Sequence, residues 1–340
     1  MHKIVTPGRV IRICALLSLV FVVVLCLSLM MGSVKIGLWR AISGFSSFRQ
    51  DGAAGLTPLE MTIIFSLRLP RVIFAGITGA SLALAGAVFQ ALLRNPLADP
   101  YVLGISGGSA VGAIIGIMIG AGLLPGGVAA TAFSGAMLAI FLVFGIAGKK
   151  KTLPTNTLLL AGVIVNAFFS ALIMFLISLS SRSELHNVLF WLMGDLSLAS
   201  RGEIILTGVF IVAAFAVIYR EAKSLNLLVM GEETALQLGV SVERTKKRLF
   251  WAASLLTAVA VSSSGIIGFV GLLVPHMMRL LFGSDHRLLL PASALFGASF
   301  LAAADSIART VTAPTELPVG VITALCGAPF FIYLLRKRTI

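Results

Sequence analysis

Apolar runs of roughly 20 residues recur along the whole 340-residue chain, and a helix needs about that many to cross the hydrocarbon core of a bilayer. Charged residues make up only 11% of the chain and apolar residues 58%, against about 25% and 45–50% in soluble globular proteins. An ordinary soluble domain is excluded. Without water in the bilayer to satisfy backbone groups, such runs must be helical, so the expectation is one all-α membrane domain over residues 1–340.

Breaks by charge, proline and glycine predict about ten transmembrane helices, near 11–33, 70–93, 102–121, 127–147, 155–179, 202–220, 248–264, 268–283, 288–308 and 317–335. Ser262–Pro275 is read as the junction of two helices, because Ser-Ser-Ser-Gly and Pro275 interrupt one long run. Lys3, Arg9 and Arg12 precede an apolar stretch that is longer than a signal-peptide core and has no clear small-residue cleavage site, so it is read as the first span.

An even number of spans puts both termini on one side, and the positive-inside rule makes that side cytoplasmic. The inner segments then hold 18 of the 26 Lys and Arg residues, among them Arg94, Lys149–Lys151, Arg220, Arg244, Lys246–Arg248 and Arg336–Arg338. The outer segments keep Lys35, Arg40, Arg49, Arg68, Arg71, Arg182, Arg201 and Arg309. The net charge of +13 is therefore a topology signal, and no basic, aromatic-bearing soluble domain is present to bind nucleic acid.

Chemistry-bearing clusters are sparse. Cys14, Cys26 and Cys326 sit inside apolar runs, and His2, His186, His276 and His286 are scattered, so no metal-ligand spacing occurs and no catalytic residue is assigned. The segment Gly145–Thr152 comes nearest to a Walker A loop and fails on its glycine spacing, so any ATP would have to be bound by another chain. Asp305 is the one acidic residue within an apolar run. It could serve a proton-coupled carrier, or pair with Arg309 one helical turn away.

Two further patterns concern contacts. Gly104, Gly108, Gly112, Gly116 and Gly120 fall every fourth residue along one helix face, which suits close packing or a pore lining. The stretch Glu221–Lys247 reads as one or two short amphipathic helices punctuated by Gly231 and Gly239, a pattern suited to a partner's groove or to an ordinary interfacial loop.

Several ordered stretches resemble the FecCD family of binding-protein-dependent permeases: Leu67–Arg71, Gly86–Gln90, Arg94–Pro100, Leu103–Gly108, Leu158–Gly162, Trp191–Gly194, Gly268–His276, Asp285–Arg287 and Glu316–Gly320. The likeness runs from about residue 60 to 335. It implies a BtuC-like type II ABC importer permease fold in a bacterial plasma (inner) membrane, carrying an iron-siderophore, haem or cobalamin. It further implies a homodimer, two ATPase subunits holding ATP and magnesium, an outer substrate-binding protein, and no cofactor in this chain.

By that resemblance the coupling segment 224–242 seats on the ATPase through Leu228, Met230, Gly231, Glu232, Ala235, Leu238 and Gly239. Arg68, Arg71 and Arg309 meet carboxylates of the binding protein or, alternatively, lipid headgroups. The inner gate is placed at Asn95, Leu97, Thr155 and Asn156, for which simple helix capping is the other reading.

Overall fold

The computed structural model describes residues 5–32, 37, 57–148, 153–197 and 200–338. Lys3, Lys35, Arg40, Arg49 and Lys149–Lys151 lie outside the described residues. The described residues are helical, with short connections.

In chain order the helices are α1 (Pro7–Met30), α2 (Pro58–Leu92), α3 (Ile105–Met118), α4 (Gly127–Ala147), α5 (Thr155–Leu179), α6 (Arg182–Leu192) and α7 (Arg201–Arg220). There follow α8 (Ala222–Met230), α9 (Glu232–Gln237), α10 (Val242–Ser264), α11 (Val270–Phe282), α12 (His286–Ala308) and α13 (Val319–Arg338). Among the described residues six helices, α1, α2, α4, α5, α7 and α12, are long and apolar enough to cross a membrane unaided.

The expected ten therefore becomes six by length and composition. The reason is local. Helices α3 and α11 are apolar but only 14 and 13 residues long, α13 closes on the basic run Arg336–Arg338, and α10 opens on the charged run Glu243–Arg248.

Helix α2 is the axis of the bundle. Its apolar window is 89% buried, whereas those of α1, α5 and α7 are about one-fifth buried, which leaves their outer faces free for lipid. Helices α12, α10, α11, α7 and α1 pack around α2, and α3 joins α4 and α5 on the other flank. Small residues allow this crowding. A side chain at Gly79 would collide with the Gly297 carbonyl and Leu301 of α12. Gly108, Gly112 and Gly116 likewise face Thr131, Gly135 and Ala139 of α4, so the middle of the glycine stripe packs helices together.

Helix α2 begins 12 residues before the predicted start. Pro70 lies within it, and a proline there lacks an N–H and crowds the preceding turn. The turn Thr62–Arg68 widens to π geometry, with the Leu69 N–H donating to the Ile64 carbonyl, so the helix passes through Pro70 unbroken. Helix α6 was not predicted. A reciprocal capping box of Ser181 and Glu184 starts it.

The backbone between α10 and α11 is non-helical, and such segments persist at membrane depth only when their polar groups find protein partners. The Tyr101 hydroxyl donates to the Ile267 carbonyl at 2.8 Å and accepts from the Ile267 N–H at 3.1 Å. The Asp195 N–H donates to the Ser264 carbonyl at 2.9 Å.

Candidate functional site

Ionic side chains gather at the two opposite ends of the bundle. At one end, beside the π turn of α2 and the end of α12, Asp305 is fully buried. Arg71 grips its carboxylate, donating from Nε at 3.1 and 3.2 Å and from Nη2 at 2.9 Å. Arg309 Nε lies 3.0 Å from Asp305 Oδ2, which is the helical-turn pairing predicted from sequence.

Arg71 also reaches the half-exposed Glu316 through Nη1 at 2.6 Å. The buried Arg68 donates from Nη1 to the Leu29 carbonyl at 2.7 Å, and Arg309 donates from Nη2 to the Ser28 carbonyl at 3.4 Å. These are carbonyls of the last turn of α1, left without helical partners, so the two arginines cap that helix from the side. All three arginines and Glu316 line one cavity of about 440 Å³. Charge at the helix ends was legible in the sequence; its inward direction was not.

At the other end, α8 and α9 form a shelf joined at Gly231. Leu228 and Ala235 are buried under it, while Val229, Met230, Leu236 and Leu238 are exposed. Gly239 carries the positive φ of 85° that ends α9.

The shelf is tied to three neighbours. Asn226 donates to Asp285 Oδ1 at 2.9 Å and accepts from the His286 N–H at 2.9 Å, linking α8 to the start of α12. Burial alone would raise the Asp285 carboxyl, but hydrogen bonds from Arg287 and Asn226 outweigh it and hold the group at about 2. Arg248 pairs with Glu221 at 3.1 Å. Glu232 Oε1 lies 3.3 Å from Arg94 Nη2 and 3.1 Å from Lys246 Nζ.

The predicted gate residues lie beside this shelf. Asn95 and Leu97 sit on an exposed loop after α2, where Asn95 Oδ1 accepts from the Leu97 N–H at 2.9 Å. This is a turn of the loop and not a helix cap. Thr155 Oγ1 is 3.5 Å from the Leu92 carbonyl, so it spans the gap between α5 and the end of α2. Asn156 is exposed in the first turn of α5, whose cap position is Pro154 without a side-chain bond. Burial pushes the Asp99 carboxyl, on the same loop, up to about 6, against a backbone hydrogen bond from Tyr101 that lowers it.

Among the described residues no group of three or more His, Cys, Asp or Glu side chains is arranged to hold a metal. The three cysteines are free thiols.

The sequence pattern of the FecCD transport family matches residues 20–337. This chain belongs to the FecCD transport family. It is 47% identical over 286 residues to the cobalamin import system permease protein BtuC of Halobacterium salinarum, covering 84% of this chain and 76% of that one. It is 38% identical over 329 residues to the hemin transport system permease protein HmuU of Yersinia pestis, covering 95% and 96%.

A solved structure described as an inward-facing conformation of an ABC transporter of metal-chelate type superposes with a TM-score of 0.82 at 31% identity, over 96% of this chain and 99% of that one. The fold is thus an all-α membrane-spanning fold related to BtuC-type importers. Several FecCD-like stretches occupy its joints. Trp191–Gly194 supplies the Met193 and Gly194 carbonyls that receive the first N–H groups of α13, and Gly268–His276 contains the break before α11.

Proposed function

We propose that this chain is the permease subunit of an ATP-binding-cassette importer that moves a metal chelate, such as an iron-siderophore, haem or cobalamin, into the cytoplasm. Its relatives and the solved metal-chelate transporter support the substrate class. The observation that carries the ATP-driven reading is the shelf of α8 and α9. Its Met230, Leu236 and Leu238 are exposed to a partner, while the part-exposed pair of Glu232 with Arg94 ties it to the gate loop.

In the full assembly two copies of the chain pair around the path. Two ATPase subunits with ATP and magnesium seat on the exposed Met230, Leu238 and Gly239 of this coupling segment, while Leu228 and Ala235 anchor it from beneath, Gly231 joins its two helices and Glu232 ties it to its neighbours, and a substrate-binding protein covers the opposite face. Ten crossings complete the fold, with α3, α10 and α11 crossing largely inside protein and α13 crossing with one face exposed at Leu325, Ile332 and Tyr333. Both termini lie in the cytoplasm of a bacterial inner membrane. The gate is Asn95, Leu97, Thr155 and Asn156.

The docking site for the binding protein is the cavity of Arg68, Arg71 and Arg309. An arriving carboxylate would exchange with Glu316 on Arg71, while Arg68 and Arg309 supply the positive wall behind it. The proton-carrier alternative rested on Asp305. Two guanidinium groups clamp that carboxylate away from any exposed surface, an arrangement suited to a structural tie.

Met230→Asp with Leu238→Asp tests the shelf. Each charge would have to be desolvated in an apolar groove, so ATPase co-purification is expected to fall by at least about tenfold and uptake with it. An ATPase that stays bound and still drives uptake would remove the shelf from the interface.

A further inference from the structure

The two parts of the proposed gate lie on different segments, one after α2 and one at the start of α5, and both are wired to the same carboxylate. Glu232 is the first residue of α9. Its Oε1 atom faces Arg94 Nη2 at 3.3 Å and Lys246 Nζ at 3.1 Å. Arg94 immediately precedes Asn95 and holds a left-handed φ of 46°, a conformation that bends the chain sharply into the gate loop.

Lys246 is a buried lysine on α10, and besides Glu232 it donates to the Leu153 carbonyl. The N–H of Leu153 donates in turn to Glu243 Oε2 at 2.9 Å, so both backbone groups of Leu153 are held by α10 two residues before Thr155. Thr155 reaches back to the Leu92 carbonyl, two residues before Arg94. The contacts close a ring from Glu232 through Arg94, Leu92, Thr155, Leu153 and Lys246 back to Glu232.

A buried ammonium is costly unless a charge and hydrogen-bond acceptors meet it. Lys246 therefore cannot drift from Glu232 and Leu153 without penalty, and a displacement of α9 must be shared by both gate segments. We propose that Glu232 is the positioning residue that carries motion of the coupling shelf to the two halves of the gate together, through Arg94 on one side and Lys246 on the other. The proposal rests on the ATP-driven reading above and adds the route by which hydrolysis reaches the gate.

The test uses the size-purified complex of this chain with its ATPase and binding protein, in proteoliposomes. The probe is a ferric hydroxamate, haem or cobalamin, whichever the unaltered complex accumulates, and the readout is chelate taken up per ATP hydrolysed. Size purification removes unassembled chains, and each variant is compared at a thermal unfolding midpoint equal to that of the unaltered complex, so a merely structural loss is told apart from lost coupling. Glu232→Gln, close in shape but uncharged, is expected to lower it about tenfold, Arg94→Gln lowers it less because the Lys246 branch remains, and the double variant falls no further than Glu232→Gln alone because that change has already broken the Arg94 connection.

A ratio within twofold of the unaltered complex for Glu232→Gln, or losses that multiply in the double variant, would overturn the proposal. An ATPase that dissociates from the Glu232→Gln chain overturns it as well, since Glu232 would then be a docking contact. An unaltered complex without ATP-driven uptake refutes the underlying functional reading instead.

Discussion

Asp305→Ala is expected to cost about 3–5 kcal/mol of stability, because it leaves two arginines in a buried site without the carboxylate that neutralises them. The chain purified in detergent should show a markedly lower thermal unfolding midpoint and a broadened size-exclusion profile. Asp305→Asn keeps the shape and loses only the charge, so it should fall between the two. The double variant Asp305→Leu with Arg309→Met should recover part of the loss, since it removes both ions and leaves Arg71 with Glu316. A midpoint unchanged in Asp305→Ala would mean that the cluster holds nothing together. Any Asp305→Asn chain that folds should still transport when its ATPase is present, which a proton carrier built on Asp305 would not do.

Gly79→Leu is expected to prevent normal assembly of the bundle. The new side chain has to enter the space of the Gly297 carbonyl and Leu301, so α2 and α12, the two most buried of the six long apolar helices, must separate. Overpacking a tight core typically costs about 1–3 kcal/mol, and a collision with backbone lies at or above the top of that range. Yield of monodisperse protein and its thermal midpoint are the readouts. Gly145→Leu on α4 is the control, because a side chain there meets nothing within 4 Å. Equal behaviour of the two variants would contradict the close approach of α2 and α12.

What the sequence revealed, and what it hid, follows from the range of the interactions involved. Apolar runs are local, so the long helices were legible together with their approximate ends. The ion pair of Asp305 and Arg309 is also local, one turn apart on α12. Arg71 finds Asp305 across 234 positions, and Arg68 finds Leu29 across 39, so their burial could not be read from charge spacing. Lys246 counted with the cytoplasmic positive charge, yet it is almost wholly inside the protein. Pro70 looked like a helix start because its answer, the π turn at Thr62–Arg68, has no sequence signature of its own. The short α6 was hidden because its run of 11 residues mixes charge with apolar side chains.

The most direct measurement of the account is chelate uptake into proteoliposomes that carry this chain, its binding protein and its ATPase, with ATP inside or outside and with or without an imposed pH gradient. The account predicts accumulation only where ATP reaches the ATPase, and none when the ATPase is omitted or its hydrolysis is disabled. Accumulation driven by the pH gradient alone, in vesicles without the ATPase, would contradict it.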